Sequence, residues 1–280
     1  MTQELADAAN AICDADALLI CAGAGIGVDS GLPDFRGNAG FWKAYPPLAD
    51  AGIAFTDIAT PDRFHTHPAL AWGFYGHRLN LYRATVPHEG FALLKRWADA
   101  KPFGGFVFTS NVDGQFQKAG FDPARIAECH GSLHHLQCLY NCSPEIWSAD
   151  AESVIVDERT CTATAPLPHC PNCGQIARPN VLMFNDWGWQ HARSSEQEAE
   201  LESWLQEVRD NRGNLAVIEI GAGRDIPTVR LLAERMAQVM EAVLVRINPR
   251  DCVPPGAGKC APLPLGAMDA LTRIAALLPK

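Results

Sequence analysis

Apolar and polar residues alternate along this chain in a pattern that predicts strands and helices in turn. Compact apolar runs at 17–22, 105–109, 215–220 and 242–247 are typical of strands buried in a sheet, and 178–184 also has strand character. Apolar residues at helical spacing between these runs predict helices at 2–13, 67–85, 89–99, 197–210, 228–240 and 267–278. Strands that alternate with helices indicate an α/β fold with a doubly wound, parallel, Rossmann-like sheet.

Two stretches interrupt this alternation. Residues 41–62 are rich in Pro, Gly and Ala, which predicts an ordered loop with short helical pieces, a lid that leads into the helix at 67–85. Residues 138–173 are rich in Cys, Pro, Ser and Thr, which predicts a small inserted module. We therefore expect a sheet domain formed by 1–40, 87–134 and 178–280, and a small domain formed by the helical insertion 41–86 and the module 135–177.

Composition narrows the classes of protein that this chain can represent. Its 280 residues are 48% hydrophobic, which suffices for a sizeable core. The net charge of −9 gives no global attraction to nucleic acid or to an anionic membrane, and no apolar run approaches the roughly 20 residues of a membrane helix. The first residues do not resemble a signal peptide, so the ten cysteines fit a reducing cytoplasm better than a secreted disulfide protein.

A glycine-rich stretch follows the first predicted strand. Gly23, Gly25 and Gly27 stand at alternate positions, and Pro33-Asp34-Phe35-Arg36 comes shortly afterwards. Glycines let a backbone turn sharply and present its N–H groups to a phosphate at the end of a strand. Gly-x-Gly also occurs in ordinary turns, so this stretch alone leaves both readings open.

Four cysteines of the predicted module are paired at short spacing. Cys138-x3-Cys142 and Cys170-x2-Cys173 are separated by 27 residues. Two such pairs can bring four thiolates into the tetrahedral arrangement that structural zinc prefers, with no ligand position left open for catalysis. The alternatives are disulfides or unrelated buried thiols, and Cys161 and His169 are further ligand candidates nearby.

Candidate chemistry follows the strand at 105–109. Asn111 and Asp113 come directly after it, where ligands of parallel sheets bind, although an Asn/Asp turn cap would give the same pattern. His130-Gly131 closes a short segment just before the cysteine module. A histidine titrates near neutrality and so suits a general base, whereas most single histidines are packed or surface residues.

Together these segments resemble the sirtuins, which are NAD-dependent protein deacylases. The resemblance runs from about Leu18 to Asn248 and includes the opening motif, Thr109-Ser110-Asn111-Val112-Asp113, His130-Gly131, the cysteine pairs, the Arg178–Asp186 segment and Ile247-Asn248. The chain departs from the family pattern at Gly27, Ser110, Asn185-Asp186 and Ala222-Gly223, where the family has Ser, Gln, Gly-Glu and Thr-Ser.

The resemblance implies an NAD site, a zinc module and a cleft for acylated-lysine proteins. In the family, residues matching His130, Asn111 and Asp113 are catalytic: the histidine is the general base, and the other two orient the nicotinamide end of NAD. Residues matching Phe35 and Arg36 shield the reactive face and order the lid. The implied NAD-binding residues are Gly23, Ala24, Gly25, Asp34, Phe35, Arg36, Ser110, Asn111, Val112, Asp113, Gly221, Ala222, Gly223 and Asn248. The implied substrate-binding residues are Tyr75, Arg78, Val181 and Phe184.

Tyr75 and Arg78 also suggest which acyl group is removed. They are three residues apart in the helix at 67–85 and so share one face, where a phenol and a guanidinium can bind a carboxylate. This spacing is common on ordinary amphipathic helices. The sirtuin branch that prefers succinyl- and malonyl-lysine has a Tyr-x-x-Arg pair in this helix, so the resemblance implies a preference for acidic acyl groups.

The expected reaction is NAD-dependent removal of an acyl group from lysine, with nicotinamide and O-acyl-ADP-ribose as products. An NAD glycohydrolase or ADP-ribosyltransferase would use the same pocket with a different nucleophile, and the departures from the family pattern keep this alternative open. A non-catalytic, NAD-responsive binding protein is a third possibility, against which His130 and Asp113 argue. The products formed from an acylated peptide distinguish the three.

Overall fold

The computed structural model describes residues 2–34, 37–256 and 258–279. Its helices are α1 (Thr2–Asp14), α2 (Gly37–Ala44), α3 (Pro46–Asp50), α4 (Phe55–Ile58), α5 (Pro61–Thr66), α6 (Pro68–Ala84), α7 (Glu89–Asp99), α8 (Gln115–Lys118), α9 (Ala192–Asp210), α10 (Thr228–Val239) and α11 (Ala267–Ala275). Its strands are β1 (Ala17–Ala22), β2 (Gly105–Thr109), β3 (Ile126–Glu128), β4 (Gly131–Cys138), β5 (Ile146–Ser148), β6 (Val156–Asp157), β7 (Thr162–Ala163), β8 (Ala177–Val181), β9 (Leu215–Ile220), β10 (Val243–Ile247) and β11 (Lys259–Leu263).

Six parallel strands form the main sheet, in the order β11-β10-β9-β1-β2-β3. Every residue of β1 and β9 is buried, because helices cover both faces of the sheet and leave no side of these strands to solvent. From β1 the chain first adds β2 and β3 on one side of that strand. It later adds β9, β10 and β11 on the opposite side of β1. The order therefore reverses between β1 and β9, and their carboxyl ends form the crevice where such sheets bind ligands.

Helices pack on both faces of this sheet. Residues of α1, α7 and α11 share one apolar cluster with the sheet, for example Ile12, Phe91 and Ile274. Residues of α9 and α10 share another on the opposite face, for example Trp204 and Val229. The predicted doubly wound fold is therefore confirmed. None of the described helices is long and apolar enough to cross a membrane.

A third apolar cluster joins the helical insertion to the cysteine-rich module. The antiparallel sheet β5-β4-β8 flanks the module, since β4 leads into it and β8 leads out of it, and α6 lies against this sheet. Trp72 is fully buried and donates its indole N–H to the carbonyl of Ala177 at 2.9 Å. A Cβ at Gly73 would lie 1.9 Å from the carbonyl oxygen of Cys161, so only glycine lets α6 approach this closely.

The sequence pattern did not predict β11. Its residues include Pro262, which argues against a central strand because proline cannot donate to a ladder. The structure places β11 at the edge of the sheet, where proline is tolerated. The structure also ends β8 at Val181, earlier than predicted, and begins α9 at Ala192, before the predicted start at 197, although Ser194 and Ser195 are weak helix formers.

Candidate functional site

Two glycine loops meet at the crevice between β1 and β9. The N–H of Gly23 donates to the carbonyl of Ile220 at 2.9 Å, and that of Gly25 to the carbonyl of Gly221 at 3.1 Å. A Cβ at Gly23 would lie 2.8 Å from the Cα of Ala222, and one at Gly221, where φ is +64°, would lie 2.5 Å from Gly25. The loops therefore touch backbone to backbone, which requires glycine on both sides.

The first loop continues as a tight 3₁₀ turn over Ala24–Ser30 rather than opening directly into an α-helix. Gly27 is buried in this turn, and a Cβ there would lie 3.2 Å from Cδ1 of Leu32. A serine, which the family has at this position, would press on Leu32, so the glycine departure fits the local packing. The predicted ligands Phe35 and Arg36 lie outside the described residues.

Two asparagine side chains hold the loops from the neighbouring strand ends. Asn111, after β2, donates from Nδ2 to the carbonyl of Gly23 at 3.2 Å. Its own backbone N–H donates to Thr109 Oγ1 at 3.0 Å, which fixes the start of the segment. Asn248, after β10, is fully buried and donates from Nδ2 to the carbonyl of Ala222 at 2.8 Å. Both predicted site residues therefore lie at the crevice and shape its backbone.

Asp113 is a buried carboxylic acid beside this crevice, 8% exposed. Its Oδ1 accepts the backbone N–H of Gln115 at 3.0 Å, and no side-chain donor among the described residues bonds to the carboxylate. Burial raises the pKa of Asp113 to about 6; the Gln115 hydrogen bond and the Arg78 cation oppose this shift, and the charge of Glu128 adds to it. An acceptor oxygen with one bond left to make suits a ligand amide.

The segment between Asn111 and Asp113 is fixed to the neighbouring sheets. Ser110 donates its backbone N–H to the carbonyl of Ala22 at 3.3 Å, and Leu133 donates to the carbonyl of Val112, which is buried, at 3.0 Å. These bonds place Ser110 and Val112, two further predicted NAD ligands, between the crevice and β4.

His130 lies between the end of β3 and the start of β4, and it is half-buried. Burial lowers its pKa, so the imidazole is neutral at neutral pH. Its carbonyl accepts the N–H of Leu182 at 3.0 Å, whereas its ring nitrogens bond to none of the described residues. Gly131 has φ of +78°, and a Cβ there would lie 2.0 Å from the carbonyl oxygen of Asn180, which explains the glycine of the His-Gly pair.

The segment after β8 joins the module to the helical insertion. Val181 is buried at the end of β8. Phe184 donates its N–H to the carbonyl of Ala59 at 2.9 Å, and its ring meets that of Phe55 edge-on at 5.7 Å. Both predicted substrate-binding residues therefore belong to the segment 181–184, which begins at the last residue of β8. Leu182, between them, bonds to the carbonyl of His130.

The Asn185-Asp186 departure has a local structural reason. Asn185 has φ of +54°, a conformation that asparagine tolerates better than most residues. The Asp186 side chain is fully buried, forms an ion pair with Arg178, and accepts the N–H groups of Met183 and Gly188, both at 3.2 Å. Asp186 therefore fixes the turn that follows Phe184.

The four predicted cysteines converge on one point. Their Sγ atoms all lie within 4.8 Å of one another, with Cys138–Cys173 and Cys142–Cys170 each at 3.6 Å. Zn–S bonds of about 2.3 Å in a tetrahedron place sulfur atoms about 3.8 Å apart, so these thiols fit zinc, and they are too far apart to be disulfides. The metal prediction is confirmed: this is a closed, four-cysteine site of the structural type.

Arg78 lies among aromatic rings on the inner side of α6. It is 8% exposed and donates from Nε and Nη2 to the hydroxyl of Tyr82 at 3.0 and 2.8 Å. Its guanidinium carbon lies 5.3 to 5.9 Å from the ring centroids of Phe74, Tyr75 and Tyr82. Tyr75 stacks on Phe64 at 5.6 Å, and burial raises the pKa of its phenol to about 12, against the opposing charge of Arg78, so it stays a donor.

Two residues near the site, Tyr82 and Arg250, have no role in the expectations drawn from the sequence. Tyr82 stands four residues after Arg78, a spacing that could have signalled their contact. Arg250 forms an ion pair with Asp34 at 3.0 Å across 216 positions of sequence, and no sequence signal links them.

The fold and the site define a class of protein: a doubly wound α/β protein with two glycine loops at the switch point of its sheet and an inserted four-cysteine metal module. The Sir2 family model matches residues 23–202. An NAD-dependent protein deacylase of Leptospira interrogans, serovar copenhageni, is 30% identical over 229 residues, which cover 81% of this chain and 79% of that protein. The chain therefore belongs to the Sir2 family, the sirtuins.

Other relatives match over a shorter stretch. An NAD-dependent protein deacylase of Aeropyrum pernix is 34% identical over 164 residues, which cover 59% of this chain but only 58% of that protein's length. One of Aquifex aeolicus is 31% identical over 168 residues and is also covered to 59%. Among solved structures, a Sir2 homologue mutant in complex with ADP-ribose has a TM-score of 0.69 at 22% identity, with 97% of this chain and 95% of that chain covered. This likeness concerns the fold.

Proposed function

We propose that this protein is an NAD-dependent protein-lysine deacylase that transfers the acyl group to ADP-ribose and releases nicotinamide. The observation that carries the proposal is the position of Asn111, Asp113 and His130 just after β2 and β3 of a Sir2 fold, with Asn111 bonded to the first glycine loop. The relatives of this chain that are named NAD-dependent protein deacylases support the same reaction.

NAD fits the crevice in two respects. A Cβ at Gly223 would meet nothing within 4 Å, so space for a ligand opens in front of the second loop, while the N–H groups of Gly23 and Gly25 bind the two loops to each other. Asp113 has an acceptor oxygen left for the carboxamide of nicotinamide, beside Asn111 and the Ser110–Val112 backbone. In the proposed site Gly23, Ala24, Gly25 and Asp34 line one side, and Gly221, Ala222, Gly223 and Asn248 line the other.

His130 is the proposed general base. NAD supplies the ribose carbon that becomes electrophilic as nicotinamide leaves, and the acyl oxygen is the nucleophile. His130 then removes a proton from a ribose hydroxyl, for which a neutral imidazole is needed; burial keeps the ring neutral at physiological pH. Asp113 and Asn111 hold the nicotinamide end in place, and Asp113 does so as a carboxylate above pH of about 6.

The proposed substrate is an acylated lysine of another protein, bound in the cleft between the sheet domain and the small domain of 41–86 and 135–177. Val181 and Phe184 line this cleft. Tyr75 and Arg78 form the end of the acyl pocket, and we propose a preference for succinyl- or malonyl-lysine, because a guanidinium held among aromatic rings binds a carboxylate strongly. None of the described cysteines forms a disulfide, which supports the proposed cytoplasmic location.

Incubation with an acyl-lysine peptide tests this function. Loss of the acyl group should require NAD, and omission of NAD is the control. Release of plain ADP-ribose from NAD without deacylation would instead identify a glycohydrolase, and ADP-ribose attached to protein would identify a transferase; either result would overturn the proposal.

A further inference from the structure

A cluster of charged side chains lies between β9, β10 and α10, away from the proposed reaction centre, and all of them except the partly exposed Glu234 are buried. Glu219 in β9 is fully buried and stands opposite Arg246 in the register of β10. Arg246 donates to both carboxylate oxygens of Glu219, at 2.9 and 2.7 Å, and to Glu234 at 2.5 Å. Arg230, 7% exposed, lies 3.5 Å from the same carboxylate. We call Glu219, Arg230, Glu234 and Arg246 the buried ion cluster.

Stability alone gives a weak reason for this cluster. Removing charges from water is costly, and apolar residues of similar volume often stabilise a fold as well or better. The arginines, however, also bond outside the cluster. Nη1 of Arg246 donates to the carbonyl of Val253, and Nη2 of Arg230 donates to the carbonyl of Asp251. Both recipients belong to the irregular segment 249–253 between β10 and β11, which the cluster therefore holds from beneath.

The same segment leads to residues at the crevice. The side-chain oxygen of Asn248 accepts the N–H groups of Arg250 and Asp251, both at 3.0 Å, while its amide donates to the carbonyl of Ala222. Arg250 in turn pairs with Asp34 at 3.0 Å. A displacement of segment 249–253 would therefore move the second glycine loop through Asn248. It would also move Arg250, which pairs with Asp34.

We propose that Glu219 is a positioning residue for the adenosine-diphosphate-ribose part of the cofactor. It holds Arg230 and Arg246 so that their outer donors fix segment 249–253, and that segment fixes Asn248, Ala222 and Arg250. The inference rests on the proposed function, since it requires that the crevice binds NAD. Glu219 stands two positions before Gly221, and in this role it acts through the two arginines rather than through a contact with the ligand.

Affinity for ADP-ribose, measured by calorimetry on the full chain, tests the proposal. Glu219→Gln keeps the shape but removes the charge that holds both arginines, so the Kd for ADP-ribose should rise about tenfold or more. Glu219→Asp, which restores the carboxylate, should recover part of that loss. In turnover assays the KM for NAD should rise while kcat at saturating NAD stays within about twofold, since the reaction centre is untouched.

Val217→Ala is the matched control. Val217 is buried two residues earlier on the same face of β9 and bonds no loop, so its truncation lowers stability without releasing segment 249–253. Its Kd for ADP-ribose should stay within about twofold of the wild type. Unchanged affinity in Glu219→Gln, or an equal loss in both variants, would overturn the positioning role.

Arg230→Gln is the second variant, used if Glu219→Gln does not fold. It leaves the Arg246–Glu219 pair in place, so its Kd for ADP-ribose should rise by less. A wild-type Kd in Arg230→Gln would equally refute the positioning role. A wild type that does not bind ADP-ribose would contradict the proposed function itself.

Discussion

The guanidinium of Arg78 donates two hydrogen bonds, from Nε and Nη2, to the single hydroxyl of Tyr82 one helical turn later. This contact fixes the direction of the guanidinium while Tyr75 and Phe74 contact it through their rings. A cation held in this way is prepared for a carboxylate, since less rotamer freedom is lost on binding.

We expect the enzyme to remove succinyl from a matched peptide more efficiently than acetyl. Arg78→Met should lower kcat/KM for desuccinylation by about 100-fold, because a buried charge-assisted pair is lost, and should leave deacetylation within a few fold. Tyr82→Phe keeps the cation and removes only its anchor, so its loss should be smaller. A wild type that prefers acetyl would show that Tyr75 and Arg78 only pack the helix.

The four-cysteine site should hold about one zinc per chain. Cys170→Ser should release the metal and lower the melting temperature, because the module has little apolar core apart from its contacts with α6. Cys13→Ser, at an exposed thiol outside the cluster, is the control and should keep both metal and stability. Metal content measured by atomic emission decides the matter; full activity in metal-free protein would refute a structural role.

His130→Ala should abolish deacylation while NAD binding stays largely intact, because the ring bonds to none of the described residues and its loss leaves the crevice unchanged. Exchange of labelled nicotinamide into NAD should partly survive, since that step precedes the base. Undiminished O-acyl-ADP-ribose formation by the variant would exclude His130 as the base.

Asp113 links stability to pH. Its pKa is about 6 in the folded protein and near 3.9 when unfolded, so the folded state holds the proton more tightly, and stability falls as pH rises from about 4 to above 6. Asp113→Asn should therefore raise the unfolding free energy at pH 8 by up to about 3 kcal/mol and give little gain near pH 4. Urea denaturation at both pH values measures this; equal effects at the two would contradict the buried carboxyl.

The proposed roles of Asp113 and His130 also predict how the reaction depends on pH. If an ionised Asp113 and a neutral His130 are both needed, kcat/KM for NAD should rise through a pH of about 6 and then level off. A rate that falls over pH 5 to 7 would be incompatible with these roles.

Sequence predicted most of the fold because strands such as 105–109 and 215–220 are buried on both faces and so read as continuous apolar runs. It predicted the metal module because two cysteine pairs constrain one tetrahedron. It missed β11, whose edge position tolerates Pro262. It also missed contacts made by tertiary folding alone, such as Asp34 with Arg250, and the purely local Arg78–Tyr82 contact that helical spacing could have signalled.

The proposed function depends on acyl removal that consumes NAD and places the acyl group on ADP-ribose. Mass spectrometry of one reaction with NAD and a succinyl-lysine peptide measures both. We expect one nicotinamide and one O-succinyl-ADP-ribose for each lysine freed, and none of these from Asp113→Asn in equal time. Free succinate together with unconsumed NAD, or ADP-ribose formed without deacylation, would contradict it.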